Sequence, residues 1–198
     1  MNVSLDEVKR LKELTGVGLT DAKTALVEAA GDFDQALAAM RKKGLTKAEK
    51  KSEREAREGL VDAYIHGGRI AAIVEVNCET DFVARTDDFK NLVHDIAMHV
   101  AATAPTYISA DQVPADVREA KTAEFTERIK AEGKPDNIAG QIVDGQLKKY
   151  FAEQTLLEQP FIKNPDQTVG ELVKEQVARL GENIVVRQIA RVELGASV

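Results

Sequence analysis

The feature that most constrains this chain is an alternating apolar segment, residues 69–77, which is followed along the chain by a strongly amphipathic stretch. One face of the pleat that this segment predicts is wholly apolar, with Ile70, Ala72, Val74 and Val76. The later stretch has its apolar residues at the i, i+3, i+4, i+7 spacing of a helix, at Phe89, Leu92, Val93, Ile96, Ala97 and Val100. We therefore expect a core built from a mostly buried strand that leads directly into a long helix.

Phe82 lies in the turn between these two elements and fits the apolar pattern of neither. One interpretation is a plug that packs down onto the start of the helix, which is the commoner fate of a large aromatic residue in a turn. The other is an exposed anchor for a partner protein, with the carboxylate of Asp81 beside it. The residue pattern alone leaves both interpretations open.

Two further β-prone segments accompany the central strand. Residues 60–66 precede it and are joined to it through Gly67-Gly68, a two-residue hairpin signal. Residues 183–194 are rich in β-branched side chains, and their even positions predict one apolar face, with Ile184, Val186, Ala190 and Val192. We expect an α+β fold in which a three-stranded antiparallel sheet carries helices on one face.

The chain divides by pattern into three parts. Residues 1–44 predict three short helices around a small apolar core, and residues 45–58 form a charged linker, a mobile or helical tether without an apolar stripe. Residues 59–198 form the core domain. Within it, residues 115–154 predict an inserted helical hairpin, broken at residues 133–135 by a glycine and a proline. The hairpin is either a partner-facing arm or a packed extension.

The balance of charge argues against binding to nucleic acid. Lys and Arg number 27 against 33 Asp and Glu, a formal net charge of −6 at pH 7, whereas phosphate contacts need clustered cations. The basic stretch at residues 41–58 is a local exception. Its simpler interpretation is a solvated linker helix, and the alternative is that the protein is an RNA- or ribosome-binding adaptor without exchange activity. The start of the chain lacks the basic and apolar regions of a signal peptide, so we expect a cytoplasmic protein.

The sequence lacks the motifs of nucleotide, metal and covalent chemistry. It has no Gly-x-x-x-x-Gly-Lys-Ser/Thr loop to bind a nucleotide. His94 and His99 lie too far apart around a helix to share a metal ion. The single cysteine, Cys78, could act as a nucleophile with His66 as its base, but the sequence offers no third residue to orient them. We therefore expect no cofactor, no bound metal and no enzymatic activity.

Three segments resemble the elongation factor Ts family: residues 15–23 (TGVGLTDAK), 77–85 (NCETDFVAR) and 94–102 (HDIAMHVAA). The resemblance extends over nearly the whole chain. It implies a UBA-like N-terminal module and a guanine-nucleotide exchange factor for elongation factor Tu, a GTPase of translation elongation, which it would bind in the GDP-bound and the nucleotide-free form. From the absent nucleotide-binding loop, the acidic net charge and the lack of an apolar run near 18 residues, we expect no direct binding of nucleotide, nucleic acid or membrane by this chain.

The same resemblance implies which residues bind the partner. Phe82 is expected to insert into elongation factor Tu and to disturb its Mg2+ site, together with Thr80, Asp81 and Val83 of the same turn. Further contacts of the N-terminal module and of the core correspond to Lys12, Leu19, Thr20 and His66.

Longer members of this family carry two related core subdomains, whereas this chain resembles a short form with one. The outer face of the predicted sheet, with Ala71, Ile73, Val185 and Ile189 or the residues opposite them, is apolar and would be poorly solvated. Pairing two such faces in an isologous dimer would cover them. We therefore expect a homodimer.

Overall fold

The computed structural model describes residues 3–133 and 135–196 of the chain. Its helices are α1 (Leu5–Thr15), α2 (Leu19–Glu28), α3 (Phe33–Glu49), α4 (Asp81–Ala84), α5 (Asp87–Thr103), α6 (Ala115–Ala131), α7 (Asp136–Gln154) and α8 (Val169–Leu180). Its strands are β1 (Glu58–His66), β2 (Ile70–Cys78), β3 (Pro160–Phe161), β4 (Asn164–Thr168) and β5 (Val185–Glu193). The N-terminal helices, the antiparallel sheet and the further helices confirm the predicted α+β fold.

The main sheet is antiparallel in the order β1-β2-β5, with β2 as its central strand. Residues 67–69 join β1 to β2, so the connection is one residue longer than the two-residue hairpin expected from the sequence. Gly67 and Gly68 both have positive φ, and Arg69 donates its N–H to the carbonyl of His66 at 3.0 Å. On the predicted core face of β2, the side chains of Ala72, Val74 and Val76 are fully buried. A small second sheet, formed by β3 and β4, contacts α8.

Helix α5 packs across β1 and β2, and α8 completes the core beside it. The face of α5 predicted from the sequence is buried along its whole length, from Phe89 to Val100. Val173 and Val177 of α8 belong to the same apolar cluster. Burying one such side chain stabilises the fold by roughly 1.5–3 kcal/mol, so the two helices fix the sheet from one side.

His99 belongs to this core although its ring is polar. Its Nε2 hydrogen-bonds Oε1 of Gln159 at 2.9 Å, and its Nδ1 accepts the backbone N–H of Ile162 at 3.3 Å. A backbone N–H can only donate, so the ring proton is on Nε2. Burial lowers the pKa of His99, which keeps the ring neutral at pH 7. His94, on the exposed side of α5, lies 3.0 Å from Asp62, so the two histidines do not converge.

The first three helices pack around a core of their own. Gly16 ends α1 at φ 64° and donates its N–H to the carbonyl of Lys12. Asp32 caps α3 by accepting the N–H of Gln35 at 3.0 Å. The buried side chains of this small core are Val8, Leu11, Ala22, Ala25, Leu26, Ala36 and Met40.

Helix α3 does not end at residue 44, where the predicted module ends, but continues to Glu49. It packs against α8, where Glu49 lies 3.7 Å from the ammonium of Lys174. Just beyond the helix, Lys51 donates to the carbonyl of Gly181. The first part of the predicted linker therefore lies against the core, and the domain boundaries themselves stay predictions.

Helices α6 and α7 pack against each other and form the predicted hairpin. Phe125 and Ile129 of α6 meet Val143 of α7 in a small cluster that is separate from the main core. Lys134, in the predicted break between the two helices, lies outside the described residues.

Strand β5 differs from the prediction because it contains a β-bulge. The register of its pairing shifts between Glu75 and Val76 of β2, where Arg187 is the extra residue. One extra residue reverses the alternation, so Ile189 packs against the core and Val192 is 70% exposed on the outer face. The predicted single face was therefore wrong, since its members divide into inward Ile184 and Val186 and outward Ala190 and Val192.

Two glycines that follow helices share a left-handed backbone but differ in what a side chain at each position would contact. Gly16 and Gly31 have φ of 64° and 85°; a Cβ on Gly16 would lie 2.4 Å from Cγ of Arg179 on α8, whereas one on Gly31 would meet nothing within 4 Å. We predict that Gly31→Ala lowers the free energy of unfolding by about 1 kcal/mol, the cost of a left-handed backbone. Gly16→Ala should lower it by more, because Arg179 must also move. Urea denaturation measures both losses, and equal losses would contradict the close approach of the α1–α2 turn to α8.

Candidate functional site

The turn after β2 is built by two threonine caps in succession. Thr80 caps α4, and its Oγ1 accepts the N–H of Val83 at 3.4 Å. Thr86 caps α5, where its Oγ1 accepts the N–H of Phe89 at 3.3 Å and donates to the carbonyl of Val83 at 2.8 Å. These hydroxyls satisfy backbone groups that a helix end leaves unpaired. The strand, the short helix and the long helix therefore follow one another almost without a loop.

Phe82 projects from this turn into solvent. Its side chain is 78% exposed, whereas Ala84 of the same short helix is buried and Val83 packs partly against the core. The interpretation of Phe82 as a plug for the helix start is therefore wrong. Aromatic side chains are enriched at protein interfaces, and this one is free to contact another molecule.

Asp81 precedes Phe82 and forms an ion pair with Arg85, one turn later on the chain. The guanidinium and the carboxylate are 2.7 Å apart, and the side chains of Arg85 and Asp81 are 75% and 44% exposed. Exposed pairs of this kind add little to stability. The carboxylate can therefore exchange its partner at small cost.

The base of the turn is held by a residue that sequence reasoning missed. Glu182, in the loop after α8, accepts the backbone N–H groups of Glu79 and Thr80 at 3.0 Å each and the hydroxyl of Thr80 at 2.6 Å. Glu79 in turn accepts the backbone N–H of Asn183 at 2.6 Å. Glu182 is 103 residues from Glu79, and periodicity in a single sequence carries no signal for a contact between two loops.

Cys78 is buried at the end of β2, where its thiol donates to the carbonyl of Thr80 at 3.2 Å. Burial, with a smaller contribution from the negative charge of Glu182, raises the pKa of the thiol to about 11. Cys78 lies opposite the first residue of β1, whereas His66 is the last residue of that strand. The two side chains therefore cannot act together as nucleophile and base.

The residues predicted to bind a partner in the N-terminal helices are exposed. Lys12 lies in the last turn of α1, and Leu19 and Thr20 open α2. The turn between these helices lies against Arg179 of α8, whose guanidinium pairs with Asp88 at 3.0 Å. Because Asp88 is in the first turn of α5, this arrangement brings the α1–α2 turn to the side of the molecule that carries α4.

His66 does not belong to this group of residues. It ends β1 at the hairpin, where its Nδ1 lies 3.1 Å from the hydroxyl of Tyr64 and the two rings stack. The other end of β1 pairs with Cys78, just before α4, about 27 Å away at the usual rise of a strand. A partner that contacts both Phe82 and His66 must therefore span two separate areas of the surface.

Cations of the basic stretch, residues 41–58, contact groups of the chain itself. Arg54 lies 3.6 Å from Glu79, and Arg57 lies 2.6 Å from Glu55. These pairs neutralise part of the charge that an RNA-binding surface would need.

Neither a cluster of potential metal ligands nor a membrane-spanning helix is found in the ranges 3–133 and 135–196. No group of three or more His, Cys, Asp or Glu side chains there could hold a metal ion. No helix in those ranges is both long and apolar enough to cross a membrane.

Comparison with known proteins shows similarity to the elongation factor Ts family, both by its family model and by relatives over nearly the whole chain. The family model described as "Elongation factor TS" matches residues 34–196. The chain is 48% identical to "Elongation factor Ts" of Herpetosiphon aurantiacus over 198 residues, which covers 100% of both chains. It is 50% identical to the protein of the same name from Caldanaerobacter subterraneus, with 99% of this chain and 98% of the relative covered. A third, from Carboxydothermus hydrogenoformans, is 52% identical over 95% of this chain and 87% of its own length.

The raised pKa of Cys78 predicts an unreactive thiol in the folded protein. With a pKa of about 11, only about one thiol in a thousand is ionised at pH 8, and that thiol is buried. We expect alkylation by iodoacetamide at pH 8 to proceed at the rate of unfolding and to become fast in guanidinium chloride. Because folding raises this pKa, the contribution of the Cys78 thiol to the free energy of unfolding is largest below about pH 9, its pKa in the unfolded chain. This contribution is lost as the pH rises towards 11. Fast alkylation of the native chain would contradict this description.

Proposed function

Because the chain belongs to the elongation factor Ts family and thus has a role in translation elongation, we propose that it is a guanine-nucleotide exchange factor for elongation factor Tu. It acts in the cytoplasm, makes and breaks no covalent bond, and accelerates the release of GDP from its partner. The observation that carries this proposal is the exposed Phe82, held in a turn that is otherwise anchored to the core.

Exchange requires differential binding. A factor that bound the GDP form and the nucleotide-free form equally well would change nothing, whereas one that prefers the nucleotide-free form must weaken GDP binding by the same factor. Insertion of Phe82 into an apolar pocket of elongation factor Tu supplies a contact of this kind. Burying the ring contributes roughly 1.5–3 kcal/mol, or about one to two decades of affinity.

The site that Phe82 disturbs is the Mg2+ site of the partner. Mg2+ neutralises the phosphates of a bound guanine nucleotide, so its displacement weakens the hold on GDP. Asp81, exposed beside Phe82 and only weakly engaged by Arg85, brings a carboxylate to the same place. Thr80 and Val83, both partly buried, contribute from the base of the turn.

A second contact area lies on the N-terminal helices. Lys12, Leu19 and Thr20 are exposed near the α1–α2 turn, and the docking of that turn on α8 supports their contact with the same partner as Phe82. His66 marks a third area at the far end of β1. Together they extend the interface well beyond the single aromatic side chain.

We also propose that two copies pair through the outer face of the main sheet. Val61, Ile65, Ile73 and Val192 on this face are between 49% and 70% exposed. They lie in register, because Ile73 pairs with Ala63 and Ala190 on its two sides, and Ala71 pairs with Ile65 and Val192. An isologous dimer would remove this contiguous apolar patch from water.

Replacement of Phe82 tests the exchange function. We expect Phe82→Ala to retain the thermal transition of the wild-type protein, because the side chain is exposed. We expect its stimulation of the release of a fluorescent GDP analogue from elongation factor Tu to be lower by a factor of about ten or more. Ile162→Ala, which truncates another exposed apolar residue outside the turn, should stimulate release normally. Normal stimulation by Phe82→Ala would refute insertion. Absence of any complex between the wild-type protein and elongation factor Tu would refute the function itself.

Replacement of Ile73 tests the dimer. Light scattering of the wild-type chain at micromolar concentration should give twice the mass of one chain, 21.6 kDa. Ile73→Lys places a charge at the centre of the outer face and should give the monomer mass, whereas Val27→Lys, at an exposed position of α2, should leave the dimer intact. A monomeric wild-type protein would refute the proposal.

A further inference from the structure

The turn that carries Phe82 is fastened to a loop that lies far away along the chain. Both carboxylate oxygens of Glu182 are used: Oε2 accepts the N–H groups of Glu79 and Thr80 at 3.0 Å, and Oε1 accepts the hydroxyl proton of Thr80 at 2.6 Å. Hydrogen bonds to an ionised acceptor are stronger than those between neutral groups. Glu182 therefore holds the backbone of the turn at the two residues that immediately precede α4.

The hydrogen bonding between the turn and the loop after α8 is reciprocal. Oε1 of Glu79 accepts the N–H of Asn183 at 2.6 Å, and the amide of Asn183 donates to the carbonyls of Ser52 at 3.3 Å and Arg54 at 2.6 Å. Each loop thus supplies a carboxylate to the backbone of the other. The segment after α3 is attached to the same point, so the turn is braced by two distant parts of the chain.

This arrangement controls the cap of α4. The proton of the Thr80 hydroxyl goes to Glu182, which leaves an oxygen lone pair of the same hydroxyl for the N–H of Val83 at 3.4 Å. Helix α4 spans four residues, far too few to be stable by its own hydrogen bonds. The position of Phe82, on its second residue, therefore depends on what holds Thr80.

We propose that Glu182 is a positioning residue for nucleotide exchange, one that acts through Phe82 and does not contact the partner. The inference rests on the proposed exchange function. Three hydrogen bonds direct both carboxylate oxygens of Glu182 inward to the turn, so its loss acts on the partner-facing surface through the placement of the turn, whose most exposed apolar side chain is Phe82. Pre-positioning spares the complex the cost of ordering the turn when it forms.

A double-mutant cycle distinguishes positioning of Phe82 by Glu182 from a purely structural role of Glu182, because the two roles predict different results. The cycle compares Glu182→Ala, Phe82→Ala and the double variant by their stimulation of GDP-analogue release from elongation factor Tu. We expect Glu182→Ala to lower stimulation by about ten- to one-hundred-fold, since a misplacement of about 1 Å can cost two decades. In the Phe82→Ala background the same change should have a much smaller effect, because the main side chain that it positions is gone.

Two further variants serve as controls. Glu182→Gln keeps an oxygen that can accept both backbone N–H groups and an amide that can donate to the Thr80 oxygen, so it should restore most of the activity. Glu171→Ala removes a carboxylate of the same kind, which accepts the N–H of Thr168 at 2.9 Å in the cap of α8, and should leave stimulation unchanged. Amide hydrogen exchange should show Glu79 and Thr80 losing protection in Glu182→Ala but not in Glu171→Ala.

The outcomes distinguish this inference from the function it rests on. Unchanged stimulation by Glu182→Ala, or losses that add in the double variant, would overturn the role of Glu182 while leaving insertion of Phe82 intact. If Phe82→Ala stimulates normally, the proposed site fails and the role of Glu182 fails with it. A loss in Glu171→Ala equal to that in Glu182→Ala would show that general destabilisation, and not positioning, lowers the activity.

Discussion

The buried face of β2 is the surface against which the rest of the core is placed. The strand is hydrogen-bonded along both edges, to β1 and to β5, and α5 packs across its inner face. A strand held on three sides has a fixed end, and the turn leaves from that end at Cys78. Because α5 is fixed as well, both ends of the segment that contains α4 are held, and Glu182 fixes the backbone at Glu79 and Thr80 within it. Phe82 is exposed on this segment.

The bulge at Arg187 decides which residues of β5 lie on the core face of the sheet and which lie on its outer face. Before the bulge, Val186 of β5 belongs to the core; after it, the alternation is reversed and Val192 lies on the outer face. The outer apolar face thus reaches across all three strands. The core face, in contrast, is continuous because Ile189 takes the inward position opposite Val74 that strict alternation would have given to Gln188.

Much of this fold could be predicted from the sequence, and the failures have physical reasons. The patterns of β2 and α5 repeat over several residues, so each identified both the element and its buried face. A bulge is a single inserted residue without a repeating pattern, so the composition of β5 identified the strand but assigned part of its faces wrongly. Glu182 and Arg179 were missed because their contacts join loops and helices that are far apart in the sequence. The turn itself was found, although its exposure was not decided, because the pattern around Phe82 fits a plug as well as an anchor.

The contact between Glu79 and Glu182 also sets the order in which the molecule can be completed. A loop closed over 103 residues forms late, because its entropic cost must be met by contacts made elsewhere first. During synthesis, the strand β2 and the helix α5 leave the ribosome long before residue 182, so the turn between them emerges without the carboxylate that holds it. The hydrogen bonds from Glu182 to the turn can form only when the loop after α8 arrives. Under the proposed role of Glu182, a nascent chain therefore gains its partner-binding geometry only as the last helix and strand of its core are completed.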